Sequence, residues 1–245
     1  MKPESATPVV RESGLTNREF LDKYARAGCV GLAGGRTFVD AAIGRAQRHL
    51  DTAWAWSRWS HAFFLQGRRA DGHHWVIESD LQFRHKHIQL GVQENRVTKY
   101  HDERLYTRLA VLAFNLTPEQ ENALLCEGLE LVAARVRYSL RELFGALVAM
   151  RHQKLRGANN LLARDHALFC SAMVRHMFRK TGVDLVPGID VKNTAPEDIA
   201  RSPLIRRMFV LERPEKPRLL AQMDRRFHRV KTKLREAREK RARKS

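Results

Sequence analysis

The chain has 245 residues, 43% of them hydrophobic, so it can bury one sizeable core and reads as one domain with a tail. Its three cysteines contain no Cys-x-x-Cys pair, which argues against both a disulfide framework and a zinc ribbon. The net charge of +18 points to anionic partners. Residues 1–10 hold no apolar h-region and no stretch approaches about 18 apolar residues, so neither a Sec signal nor a transmembrane span is expected. The expectation is a cytoplasmic protein, peripheral at most to the inner membrane face.

Residues 1–14 read as a loose leader, and Asn17 to Ala27 as a short helix. Gly31, Gly34 and Gly35 permit unusual backbone geometry, although a plain turn explains them as well. Phe38 to Gln47 is a second helix, with Phe38, Ala41, Ala42 and Arg45 as its markers. Residues 59–65 and 73–79 are rich in aromatic and β-branched types and flank the polar stretch Gly67-Arg68-Arg69-Ala70-Asp71-Gly72, the pattern of a hairpin. If Gln66 faces His73 across that loop, His61 stands directly opposite Glu78 on one face of the sheet. A carboxylate there accepts the ring N–H and stabilises the imidazolium. A one-residue slip would part the two, and the plain alternative is a surface His and a strand-edge Glu.

His85 and His87 share a strand face and His73 and His74 are adjacent, so a metal site is conceivable, but no Cys or carboxylate joins either pair at a ligand spacing. No metal and no cofactor is expected. Thr117-Pro118-Glu119-Gln120 is a capping box with Pro at the first helical position, and Ser139-Leu140-Arg141-Glu142 is a second. The stripes Leu124, Leu125, Leu129, Val132 and Leu140, Leu143, Leu147, Met150 face the core. They read as a helical insertion near 117–152.

Residues 166–181 place Ala167, Cys170, Met173, Val174 and Met177 at helical spacing, with Asp165 as N-cap and Gly182 as the stop. Cys170 therefore lies early in a helix. The dipole there, with a nearby imidazolium, lowers a thiol pKa from about 8.5 towards roughly 3.5–7.5. An inert small hydrophobe is the competing reading for any free cysteine on an apolar face, and it is the one assigned to Cys29 and Cys126.

Residues 213–245 hold 14 Lys or Arg against 4 Asp or Glu, so they contribute +10 of the +18. Leu219, Leu220, Met223, Phe227, Val230 and Leu234 fall three or four apart, an amphipathic helix with a basic face. Such a helix could lie on an anionic membrane, bind nucleic acid without base specificity, dock in a partner groove, or pack on its own domain.

Several stretches resemble the circularly permuted papain-like enzymes: the permuted NlpC-type hydrolases, with the YiiX-like proteins as one branch and the lecithin:retinol acyltransferase-like proteins as cousins. Trp59-Ser60-His61-Ala62-Phe63-Phe64 resembles the family's histidine strand, and Trp75-Val76-Ile77-Glu78-Ser79 the strand after it. Gly91-Val92-Gln93 with Tyr100, Phe169-Cys170-Ser171, and the run from Thr194 to Pro203 resemble later segments in the same order, over roughly residues 28–208. The departures are Ala172 where a Glu usually follows Cys-Ser, Phe169 where a Tyr is common, and no opening Gly-Asp near Gly28 to Gly35. The resemblance implies that Cys170 is the nucleophile, His61 the general base and acid, and Glu78 the orienting residue.

The resulting expectation is an α+β domain over residues 15–212, circularly permuted and papain-like, with an antiparallel sheet packed against helices. Its activity would be cysteine-dependent hydrolysis or acyl transfer on an amide or ester, with a lipid or peptide acyl substrate. The alternative from another class is a non-catalytic basic module that binds nucleic acid or an anionic membrane.

Overall fold

The computed structural model describes residues 7–51, 53–84, 87–136 and 169–213, with Met223 and Thr232. Its elements in chain order are β1 (Val9–Ser13), α1 (Asn17–Tyr24), β2 (Val30–Gly35), α2 (Phe38–Ala46), β3 (His61–Arg68), β4 (His74–Arg84) and β5 (His87–Arg96). After these come a 3-10 turn (Val97–His101), β6 (Tyr106–Phe114), α3 (Pro118–Ala133), α4 (Cys170–Lys180), α5 (Pro196–Ala200) and β7 (Ile205–Glu212). The strands form one seven-stranded sheet in the order β1-β7-β6-β2-β3-β4-β5. Every neighbouring pair is antiparallel except β1 with β7. The chain is thus α+β, a mostly antiparallel sheet packed with helices.

Alternation along the strands gives the sheet two apolar faces. Val30, Leu32, Ala62, Phe64, Ile77, Ala110 and Leu112 form one face, covered by Ala172, Met173, Met177 and Phe178 of α4 and by Leu124 and Leu131 of α3. On the other face Phe63, Leu65, Val76, Leu109 and Val111 meet Phe20, Leu21 and Ala25 from α1 and its end. Central β2 is buried along its whole length, and its glycines are there for close approach rather than for a turn. A Cβ on Gly31 would meet the Phe63 ring at 2.0 Å, and one on Gly34 the Arg58 carbonyl oxygen at 2.0 Å.

Helix ends follow the capping signals in the sequence. Thr117 accepts from the Gln120 N–H and Pro118 opens α3, while Thr16 with Glu19 and Thr37 with Asp40 cap α1 and α2 in the same reciprocal way. Helix α1 stops at Tyr24, three residues short of the expected Ala27. The α3 stripe is rotated from the expected one. Leu124, Gly128 and Leu131 are buried, whereas Leu129 is exposed because it sits one residue, about 100° of helical turn, past Gly128. Gly128 lets α3 cross α4 closely, since a Cβ there would lie 2.8 Å from the Met177 methyl.

The leader is not loose throughout, because Val9–Ser13 adds an edge strand beside β7. The second capping box at Ser139, the Leu140–Met150 stripe, Asp165 and residues 214–245 lie outside the described residues, apart from Met223 and Thr232. Among the described residues no helix is long and apolar enough to cross a membrane.

Candidate active site

The hairpin of β3 and β4 is longer than the sequence suggests, and its register differs. Arg68 pairs with His74 and Gly67 with Trp75, then the ladder shifts so that Leu65 pairs with Val76 and Phe64 with Ile77. Gln66 is the extra residue of a β-bulge, beside Gly67 at φ +88°. His61 is therefore not directly opposite Glu78, as the loop-based alignment expects, but diagonal to it. The bulge still decides the chemistry. Continued unbroken, the register of Gly67 and Trp75 would set Glu78 opposite Phe64 and on the face away from His61. With the bulge, Glu78 shares the face of Phe63 and His61, and a long side chain spans the diagonal.

The Nε2 of His61 lies 2.7 Å from Glu78 Oε2. Glu78 is fully buried, so its charge must be met by donors. Asn95 Nδ2 donates to Oε1 at 2.7 Å, Lys99 Nζ donates to Oε1 at 2.8 Å, and the Tyr100 hydroxyl donates to Oε2. Burial alone would push this carboxyl up. The hydrogen bond from His61 and the charge of Lys99 outweigh it and hold Glu78 well below the usual carboxylate range. Tyr100 stacks on Phe63 with ring centroids 4.2 Å apart, which fixes the floor under His61.

Cys170 is the first residue of α4, after Phe169, which provides no side-chain cap. Helix α4 forms because Ala172, Met173, Met177 and Phe178 give it one apolar face, and it is anchored by a buried arginine. Arg175 grips Asp184 with two nitrogens, at 2.7 and 3.0 Å, and donates to the Ile189 carbonyl at 2.8 Å and the Thr194 hydroxyl at 3.0 Å. Ser171 donates to the Thr194 carbonyl at 2.6 Å, so the Cys-Ser pair is tied to the Thr194–Pro203 run. Gln47 completes the frame from α2: its Nε2 donates to the Trp59 carbonyl at 2.9 Å and its Oε1 accepts from the Glu197 N–H at 2.8 Å.

Sulfur meets imidazole where the sheet opens. The β3–β4 ladder begins at Phe64 and Ile77, so Ala62 lies beyond it. Leu65 donates its N–H to Cys29 on the β2 side, and strand alternation turns the Ala62 N–H the other way, where it donates to the Cys170 sulfur. The Ser171 N–H donates to the same atom and His61 makes the third hydrogen bond. Since Nε2 serves Glu78, the imidazole presents Nδ1 to the thiol. Burial would raise the thiol pKa. The His61 imidazolium, with the three hydrogen bonds, outweighs it and lowers Cys170 from its ordinary value. Burial likewise works against a charged His61, but the Cys170 thiolate and then Glu78 raise it to about 10. Each of the two groups thus favours the charged form of the other.

All three sequence-selected residues thus converge. The other two cysteines differ from each other: Cys29 is buried, and burial pushes its thiol up to about 11, whereas Cys126 is exposed on α3 rather than packed in the core. Sequence reasoning missed Asn95 and Lys99 and reached Tyr100 only through the resemblance. No local pattern marks Asn95, which lies in the polar run Gln93-Glu94-Asn95-Arg96 and reaches the Glu78 face only through the β4–β5 ladder, where it pairs with Val76. Beside the chain leading into β3 lies a cavity of about 250 Å³ lined by Gln47, Asp51, Trp56, Arg58, Trp59 and Glu197. His85 lies outside the described residues, and among those described no group of three His, Cys, Asp or Glu is placed to hold a metal ion.

No family model and no curated protein matches the chain. Among solved structures it is similar to the metalloprotein YiiX (DUF1105) of Escherichia coli O157:H7, with a TM-score of 0.49 and 14% identity over 79% of this chain and 99% of that one.

Proposed function

We propose that the protein is a cysteine-dependent hydrolase or acyltransferase of amide or ester bonds, built on a circularly permuted papain-like domain. The observation that carries the reading is a single imidazole hydrogen-bonded both to a thiol at the start of a helix and to a fully buried carboxylate. This is how a nucleophile, a proton carrier and an orienting group are arranged for acyl transfer.

In this reading the Cys170 thiolate attacks the substrate carbonyl carbon and its π electrons move to oxygen. The Cys170 N–H, at the first residue of α4, is the first donor to that oxyanion. When the oxyanion collapses, the bond to the amine or alcohol breaks and His61 gives its proton to the leaving group. Water or a second acceptor then attacks the thioester as His61 takes a proton back, releasing the acyl product and free Cys170. Glu78 keeps the imidazole oriented and its charged form stable throughout.

The test is alkylation of the full chain at pH 6 with a small thiol electrophile, in a Cys126→Ser background that removes the exposed competitor. Modification at Cys170, slowed about 100-fold by His61→Ala and unchanged in a chain ending at Glu212, is expected, because an ordinary thiol near pKa 8.5 is only about 0.3% ionised at that pH. A Cys170 no faster than Cys29 overturns the reading. Salt-sensitive liposome or nucleic-acid binding that disappears with residues 213–245 would then favour the basic binding module.

A further inference from the structure

Beyond the three residues lies a second tier of charge that the acyl-transfer mechanism does not use. Lys99 follows β5 in the 3-10 turn and is only 21% exposed at its side chain. Its ammonium lies 2.8 Å from Glu78 Oε1 and also bonds Asp80, two residues farther along β4 on the same face. The ammonium lies over the Tyr100 ring, 5.3 Å from its centroid, and Tyr106 faces it from β6 with Asp40 beyond. Glu78 and Asp80 are the carboxylates that face it among the described residues, and Glu78 carries His61 on its other oxygen.

This arrangement answers a question that the buried carboxylate poses. Two carboxylates on one strand face repel, and a like-charged pair ordinarily resolves by one of them taking a proton. Were Glu78 that one, its link to His61 would become a contact between neutral groups and the imidazolium would lose its counter-charge. A neutral Asn in place of the cation could still donate a hydrogen bond, as Asn95 does, but could not settle the proton balance.

We propose that Lys99 is a positioning residue of this site: bridged between Glu78 and Asp80, it supplies the buried positive charge that keeps Glu78 ionised and turned toward His61. The proposal rests on the acyl-transfer reading for its purpose, but not for its measurement. Lys99 touches neither the sulfur nor any reacting atom and acts through Glu78 alone. Two directions agree with the geometry: Asp80 and Glu78 outweigh burial to hold the ammonium well above the usual lysine range, and Lys99 in turn helps hold Glu78 low.

The experiment follows the Glu78 carboxyl titration by NMR in full-length protein carrying labelled glutamate, the signal being assigned by its loss in Glu78→Gln. In the wild type the midpoint is expected below the usual carboxylate range. Lys99→Met should raise it by about one unit or more, the scale of losing an adjacent opposite charge, and Lys99→Arg should keep it low. An unchanged midpoint in Lys99→Met overturns the proposal, since Glu78 would then keep its charge unaided. Should Lys99→Met fail to fold, labelled lysine in the wild type decides: Lys99 must stay protonated well past the usual midpoint of about 10.4, and titration there overturns the proposal. Alkylation of Cys170 is scored separately. Selective alkylation with an unmoved Glu78 midpoint sinks the role of Lys99 alone, whereas unselective alkylation sinks the acyl-transfer reading.

Discussion

His61 has two ring nitrogens and the structure gives each a separate task, Nε2 on Glu78 and the remaining nitrogen on the thiol. Glu78→Gln keeps the shape of the side chain but removes the charge that stabilises the imidazolium. It should raise the pH at which Cys170 alkylates and slow the reaction about 10-fold at pH 6, measured as the rate against pH; a one-unit change in thiol pKa is a tenfold change in thiolate at a pH well below it. With the amide oxygen at the Oε1 position Asn95 and Lys99 still donate to it, and the amide N–H faces the Tyr100 hydroxyl oxygen, so the fold should survive. Buried polar detail of this kind is what the sequence concealed. His61, Glu78 and Cys170 carry chemistry in their residue types, whereas Lys99 becomes part of the site only because the turn after β5 brings it under β4.

The element that fixes the geometry is the bulge at Gln66. Deleting Gln66 should turn the bulge into a regular ladder that keeps Leu65 with Val76 and Phe64 with Ile77, so Glu78 stays on the face of His61 and selective alkylation of Cys170 survives, read as the alkylation rate beside circular dichroism. Lost selectivity in a folded sheet would show that the added twist of the bulge, and not the pairing alone, aims His61 at the sulfur. The hairpin itself was legible from its aromatic and β-branched runs, and the starts of α2 and α3 from spacing and caps, whereas the Cys170 helix begins at Cys170 itself, after extended Phe169, and not at the start of the 166–181 run. Its register was not, because the alignment assumed a loop from Gly67 to Gly72, whereas the strands continue to Arg68 and His74 and absorb one extra residue. The burial of Gly31 escaped notice for a similar reason. A glycine signals freedom in sequence, but here the missing side chain makes room for the Phe63 ring, and Gly31→Val should lower the melting temperature by well over a few degrees.

At the scale of the whole molecule, the site joins segments far apart in the chain, from Ser60 through Glu78 and Tyr100 to Cys170 and Thr194. One hairpin among helices was legible from strand and capping patterns and the α+β class chiefly from the resemblance, but neither β1, too short to show a period, nor the order of seven strands was. Residues 213–245 carry +10 of the net charge in sequence, so raising salt from 50 to 200 mM should weaken any binding to anionic vesicles steeply and leave Cys170 alkylation by a neutral reagent nearly unchanged. One consequence belongs to the opening between β3 and β4. There the nucleophile stands in for a missing strand residue as acceptor of the Ala62 amide, so the backbone carries its own gauge of the sulfur. Deuterium should enter at Ala62 slowly while the thiolate is intact and many times faster once the sulfur is capped or replaced by Cys170→Ala, which makes one exchange signal a substrate-free measure of occupancy.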